Sequence, residues 1–260
     1  PPVTEPLPKM PAKKQIGTVA LDTALLAKAV KKVLFASGIN EMAGDFHCLK
    51  VVVSGGEIDI VARDRRAYAR SRLPVGSPYQ GVFFIKKDGL KIIQKLDSDM
   101  LTLTFYNGAL GFSSDGSANI EILIPEYTGG KFPSEGGFPT SFKTETKCKA
   151  EDLAALLSMA VSVSDELTIT MGFVTAGYVK SPIRFRTAAD GIAFERSPGF
   201  KWEGEELKIR VNAGTLLHAV ENLTGDITLS FSGDDMPYSV KSENGEFLAV
   251  LSSYSPAERK

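Results

Sequence analysis

The chain is poor in the residues that usually carry chemistry. Its 260 residues include two cysteines, two histidines and one tryptophan. Cys48 and Cys148 lie far apart, so no disulfide framework is expected and a reducing cytosol fits best. Both read as small buried hydrophobes. His47 and His218 fall in different halves, with no HxxxH or CxxC spacing, which argues against a metal site. No phosphate-binding GxxxxGK[ST] loop is present, and the Gly pairs at 55–56, 129–130 and 136–137 lack a strand–loop–helix setting. No nucleophile elbow precedes either histidine. Glu57, Asp59, Asp97 and Asp99 are scattered with no recognisable pairing, and Asp64 with Arg63, Arg65 and Arg66 reads as a solvated hairpin end. A non-enzymatic protein with no cofactor is expected.

Other absences concern partners. No apolar run approaches the roughly 20 residues of a membrane helix, and the first residues lack the basic-then-apolar pattern of a signal peptide. No membrane partner and a cytoplasmic location are expected. Lys plus Arg number 30 against 31 for Asp plus Glu, a net charge of -1. Nucleic-acid binding by bulk charge is excluded, whereas a locally basic surface is not.

What is present is a repeat. Residues 1–15, rich in Pro and Lys, read as a disordered tail or linker. From Ile16 the order strand, helix, hairpin, strands, helix, strands runs twice. In the first half the periodicity predicts a strand at 17–21, a helix at 24–35 capped by Asp22 or Thr23, and a hairpin of 49–54 and 57–62 across Gly55-Gly56. Strands at 67–73 and 81–85, a helix at 87–96 and strands at 101–105, 109–113 and 119–123 follow. The second half predicts a strand at 142–148, a helix at 150–163, and strands at 167–173, 181–187, 191–196 and 207–211. A helix at 213–223 and strands at 227–232, 238–242 and 247–251 end it. VFFIKKDGLKIIQKLDSDMLTLTF overlays LKIRVNAGTLLHAVENLTGDITLSF, each a strand entering a helix with almost no loop. Two domains, 16–124 and 140–254, are expected, with a Gly/Pro-dense connector at 125–139 and a polar tail at 255–260.

The first-half helices are amphipathic in an unusual way. Leu26, Ala29, Val30, Val33 and Leu34 share one face of the first, and Lys28, Lys31 and Lys32 the other. In the second, Leu90, Ile92, Ile93 and Leu96 form the apolar side, and Lys87, Lys91 and Lys95 a stripe opposite. Exposed helices commonly interleave Glu with Lys for i,i+4 pairing. Here only Asp88 intervenes, so an anionic partner such as the phosphate backbone is expected opposite the stripes. The second-half helices offer Glu151, Asp152, Ser158 and Ser162, then Thr215, His218, Glu221 and Asn222, with no Lys or Arg.

Four segments carry a family resemblance. GGEIDIVARDRRAYARSRLPV, GVFFIKKDGLKIIQKL, GGKFPSEGGFP and the closing LKIRVNAGTLLHAVENLTGDITLSFSGDDMPYSVKSENGEFLAVLSS, in that order, resemble the bacterial DNA polymerase III beta sliding clamp over 17–253. They match the middle and C-terminal domains of that three-domain family. The resemblance implies an α+β fold of two tandem clamp domains, each with two pore-lining helices on antiparallel sheets, in a pseudo-sixfold ring. It implies a processivity factor that encircles duplex DNA without sequence specificity. Expected partners are double-stranded DNA, a DNA polymerase, a clamp loader and further copies of the chain, with three copies closing the ring. DNA-facing positions would be Lys28, Lys31, Lys32, Lys87, Lys91, Lys95 and His218. The family's partner pocket maps onto Phe46, Arg63, Arg65, Arg66, Tyr68, Pro133, Phe138, Asn212, Thr215, Tyr238, Val250 and Leu251. The usual TDGHRL has become Arg63-Asp64-Arg65-Arg66-Ala67-Tyr68, which puts the customary peptide in doubt. An adaptor that keeps the fold without the ring, binding a replication, transcription or recombination protein, is the alternative.

Overall fold

The computed structural model describes residues 14–38, 47–96, 98–114, 120–128, 132, 139, 141–174, 179–180 and 182–254. Residues 1–13 of the expected first tail, the tail at 255–260, most of the connector, and the pocket positions Phe46, Pro133 and Phe138 lie outside them, whereas Gln15, expected in the tail, begins the first strand.

The first repeat runs β1 (Gln15–Asp22), α1 (Thr23–Val33), β2 (Cys48–Ser54), β3 (Glu57–Arg63), β4 (Ala67–Pro74), β5 (Gly81–Lys86), α2 (Lys87–Lys91), β6 (Met100–Tyr106), β7 (Ala109–Ser114) and β8 (Ile120–Pro125). The second runs β9 (Thr144–Lys149), α3 (Ala150–Val161), β10 (Glu166–Met171), a small hairpin β11–β12 (Phe173–Val174, Val179–Lys180), β13 (Arg184–Ala189), β14 (Ile192–Arg196), β15 (Lys201–Gly204), β16 (Leu207–Asn212), α4 (Ala213–Val220), β17 (Asp226–Phe231), β18 (Tyr238–Ser242) and β19 (Phe247–Leu251). The two short hairpin strands and β15 were not expected from the sequence.

Local chemistry sets the element ends. Asp22 caps α1, its Oδ1 accepting from the Leu25 N–H at 2.9 Å, and Asn212 caps α4 by accepting from the Thr215 N–H at 2.7 Å. Gly55 and Gly56 take φ of 61° and 80°, which lets the β2–β3 hairpin turn with the twist of its strands. The predicted helix at 87–96 is α-helical only to Lys91. Ile92–Lys95 continues as a tighter 3₁₀ turn.

Pairing confirms the repeat. In the first, β1-β6-β7-β8 form one sheet and β4-β3-β2-β5 form another. Their counterparts in the second are β9-β17-β18-β19 and β14-β13-β10-β16. The last strand of the second repeat then joins the first: β19 pairs antiparallel with β4, from Phe247↔Ser71 to Leu251↔Ala67. Backbone bonds from Ser252 N–H to Arg66 O (2.8 Å) and from Arg72 N–H to Glu246 O (2.7 Å) extend the seam at both ends. A single nine-stranded sheet, β15-β9-β17-β18-β19-β4-β3-β2-β5, results. Its inner face carries Ile58, Ile60, Ala69, Phe247, Ala249 and Leu251 into one core that also takes Leu26, Val30, Leu153 and Leu157 from α1 and α3. Each such Ile, Leu or Phe contributes roughly 1.5–3 kcal/mol on burial.

Candidate nucleic-acid interface and partner pocket

The helix face comes first. α1 packs on β3 and β4, and α4 reaches β19 and the 3₁₀ turn Leu34–Ala36 that follows α1, on the inner side of the joined sheet. An open groove of about 520 Å³ runs between them, lined by Lys28 and Lys31 of α1, Gln94, and Glu221, Asn222 and Thr224 beyond α4. Lys28, Lys31, Lys91 and Lys95 are exposed. Among the described residues no carboxylate lies within ion-pair distance of Lys28, Lys31 or Lys95, whereas Lys91 meets Asp88 at 3.1 Å. Lys32 is half-buried. Burial lowers the pKa of its ammonium and Lys28 adds repulsion, against the pull of Glu246.

Two expectations for this face need correction. Lys87 is buried, and its Nζ donates to the carbonyl of Gly38, so it points into the fold and not along a stripe with Lys91 and Lys95. Burial lowers its pKa, with Lys91 as the second cause. Ile92, expected on the apolar side, is 40% exposed: at helical spacing it falls about 200° round the axis from the buried Leu90. His218 is exposed as expected and lies 3.1 Å from Glu221 through Nδ1. The second-repeat helices present Ser158, Met159 and Ser162 to the outside and no cation.

Strand alternation divides the pocket positions. Tyr68 and Val250 pair directly across the β4–β19 seam and, with Val61, form a small apolar cluster separate from the main core. Phe132 of the connector packs on this cluster, stacks on Phe84 with centroids 5.8 Å apart, and lies 5.9 Å from the Lys50 ammonium. Arg63 pairs opposite Tyr68 in the β3–β4 ladder. Arg65 and Arg66 are exposed in the loop, which Asp64 holds by accepting from the Arg66 and Ala67 N–H groups at 2.7 Å each. Tyr238 and Leu251 are a correction. They pair with each other, are 1% exposed, and point into the main core on the other side of the sheet from Tyr68 and Val250. Asn212 serves as the α4 cap, with Thr215 as the donor that it holds. Of the expected pocket positions, Tyr68 and Val250 are brought into one apolar cluster, with Phe132 packed on it. Phe132 was not singled out from the sequence, although its place next to Pro133 in the quoted connector motif was a signal for it.

Other groups are structural. Glu57 and Asp59, expected to be unpaired, flank Arg72 at 3.1 and 2.7 Å. Burial pushes the Cys148 thiol up to about 12, so it stays protonated and unreactive near neutrality. Among the described residues no three His, Cys, Asp or Glu side chains gather where a metal could sit, and no helix is long and apolar enough to cross a membrane.

No protein-family model matches the sequence, and no curated protein matches it. Solved structures do match the fold. The DNA polymerase sliding clamp of Bacillus subtilis aligns over 96% of this chain and 67% of its own, with a TM-score of 0.83 and 17% identity. The DNA polymerase III beta subunit of Thermotoga maritima aligns over 98% and 69%, with TM-score 0.81 and 16% identity. That of Pseudomonas aeruginosa aligns over 98% and 69%, with TM-score 0.81 and 14% identity. The chain has the fold of the bacterial DNA polymerase sliding clamps.

Proposed function

We propose that this protein is a non-enzymatic sliding clamp: it encircles duplex DNA and tethers a polymerase to it. The reading rests on one observation above all. Within a clamp fold, Lys28, Lys31 and Lys95 stand exposed on the helix face with no carboxylate partner among the described residues. Lysines of this kind bind phosphates without reading bases. Polymerase and loader engage the seam cluster of Tyr68, Val250 and Phe132.

Sheet pairing suggests how copies would join. β19 and β4 meet within the chain, and their counterparts in the opposite repeats are β8 and β14, each at the end of its sheet. Edge strands of this kind are templates for pairing with another chain. Pairing β8 of one copy with β14 of the next repeats the internal seam head to tail, and such an interface closes when the rotation permits. Six repeats close as three copies.

Light scattering over a range of concentration and salt tests assembly. A mass of three times the 28.0 kDa chain supports the trimeric ring. A monomer at every concentration removes ring closure by this chain alone and favours the adaptor reading. Retention on circular DNA, with loss on linearisation, tests encirclement. Changing Lys28, Lys32, Lys91 and Lys95 to Glu should abolish both retention and stimulation of a partner polymerase. Unchanged processivity would make the DNA-facing assignment wrong.

A further inference from the structure

We propose that the outer face of β16, β10 and β13 is a docking surface for an extended acidic peptide segment of a partner protein. The repeat supplies the comparison. After β8, the Tyr127 N–H bonds to Phe84 O on β5, and after β19 the Tyr254 N–H bonds to Arg210 O on β16. Phe84 and Arg210 are therefore equivalent, each three residues before its helix. The ladders carry the match across both sheets. Val82 becomes Lys208, Val61 becomes Arg186 and Asp59 becomes Arg184. On the central strand, Val52 and Lys50 become Thr170 and Thr168.

In the first repeat this face carries the apolar cluster of Val61, Tyr68 and Val250, which takes Phe132 of the connector, beside the Asp59–Arg72 ion pair. In the second it is an open concavity of about 470 Å³, floored by threonine and walled by cations. Two rows cross it, Lys208–Thr170–Arg184 and Arg210–Thr168–Arg186. Among the described residues no carboxylate lies within ion-pair distance of Arg184, Arg186 or Lys208, and Arg210 meets only Asp235, at 3.8 Å. Neighbouring like charges on one sheet face repel, and Glu195, directly opposite Arg186 in the β13–β14 ladder, offsets part of that repulsion.

Charge and spacing indicate the occupant. Alternate residues on a strand stand about 6.6 Å apart. That is the spacing of alternate side chains on an extended peptide, so carboxylates at every second position meet successive cations. Arginine matches carboxylate geometry in a bidentate way. Glu166 and Glu195 border the concavity and repel any anion placed beside them, so a short segment whose carboxylates meet only Arg184, Arg186 and Lys208 fits better than a long polyanion. The segment after Tyr254 starts at this face, but its one acid, Glu258, stands beside Arg259 and Lys260. It therefore has the wrong charge to fill the site.

The test is fluorescence anisotropy with the full chain and a labelled peptide of alternating Glu and Thr. The peptide should bind, and Arg184→Gln with Arg186→Gln should weaken it about tenfold or more, as expected when two charge-assisted hydrogen-bonded pairs are removed. The same pair changed to Lys should retain part of the affinity. Retention on circular DNA should be unaffected by either pair, which separates this surface from the helix face. Both pairs lie on an exposed sheet face, and unchanged melting temperatures would exclude misfolding. No binding, or binding indifferent to the Gln pair, overturns the proposal. So does displacement of the peptide by oligo-dT that itself depends on Arg184 and Arg186, which would make the surface a nucleic-acid site. Tighter peptide binding after removal of residues 255–260 would also overturn it, because the tail would then be the occupant.

Discussion

The two repeats share a backbone and exchange their surfaces. Thr23 N–H bonds to Asp99 O and Ala150 N–H to Gly225 O, so α1 and α3 start at equivalent points. From there Leu26, Ala29, Val30 and Val33 answer to Leu153, Leu156, Leu157 and Ala160, all buried. The paired changes, Ala29 to Leu156 and Val33 to Ala160, exchange volume between adjacent positions and keep the core filled. On the exposed helix faces the two repeats differ. Lys28, Lys31 and Lys32 answer to Ala155, Ser158 and Met159, so α1 is basic on its exposed face, whereas α3 has no cation there and carries Glu151 and Asp152 in its first turn. On the outer sheet face the first repeat carries an apolar cluster covered by Phe132, and the second is open, with more cations than acids. Packing fixes what lies under the helices, whereas each surface is free to follow its own partner.

The largest effects should come from undoing the core exchange. Leu156→Ala should lower the free energy of unfolding by about 2–5 kcal/mol in denaturant titrations, because it opens a cavity under α3. Ala29→Leu at the equivalent site should cost about 1–3 kcal/mol by overpacking. If Ala29→Leu is harmless, the two helices do not sit over equivalent cores.

Next is the helix face. In DNA-retention measurements, Lys28→Gln with Lys31→Gln should make the salt dependence shallower by about 0.9 in log–log slope for each phosphate no longer neutralised. Ala155→Lys with Ser158→Lys should steepen it by a similar amount, giving the second repeat the face of the first. No change from the added lysines would place α3 away from the DNA.

Capping gives a smaller effect. Asp22→Ala and Asn212→Ala should each cost about 1 kcal/mol in thermal unfolding. α2 and α3, which have no side-chain cap bond, offer no equivalent change.

The smallest effect involves pH. A hydrogen bond from Lys91 holds the Asp88 carboxyl below its ordinary value, despite partial desolvation and with help from His47. The folded pKa is depressed, so the stabilisation is present above the unfolded value and is lost as pH falls through the folded one. Asp88 is exposed, which keeps the effect under about 1 kcal/mol. Asp88→Asn should flatten the acid limb of the stability curve. Gly214, the equivalent residue, has no carboxyl to titrate.

Element order, the duplicated unit and the apolar faces of α1 and α3 were legible because period and turn chemistry are local. Gly55-Gly56 placed the turn-side ends of its hairpin, and the runs at 238–242 and 247–251 placed their strands to the residue. Lys87 was not legible. Projection at helical spacing groups it with Lys91 and Lys95, and only the fold brings Gly38 within reach of its Nζ. β15 escaped because Lys201–Gly204 contains a single core residue, Trp202, whose partner strand is Thr144–Lys149. In the partner pocket, family position alone grouped Val250 with Leu251. Strand parity assigns neighbours to opposite faces and could have separated them. The same parity in IRFR and LKIR puts Arg184, Arg186, Lys208 and Arg210 on one side, a basic sheet face that was readable from the sequence and was not read.

The β4–β19 seam also has a consequence for how the protein is made. β4 and its partner β19 are separated by every element from β5 to β18, so the nine-stranded sheet must wait until both repeats are synthesised. Until then the Ala67–Pro74 edge and the apolar inner face behind it are unpaired, a combination that favours association between nascent chains. Contacts so distant in sequence form slowly. Folding of the first repeat should therefore finish only when the second arrives, and a ribosome stalled before Phe247 would hold a chain prone to aggregate.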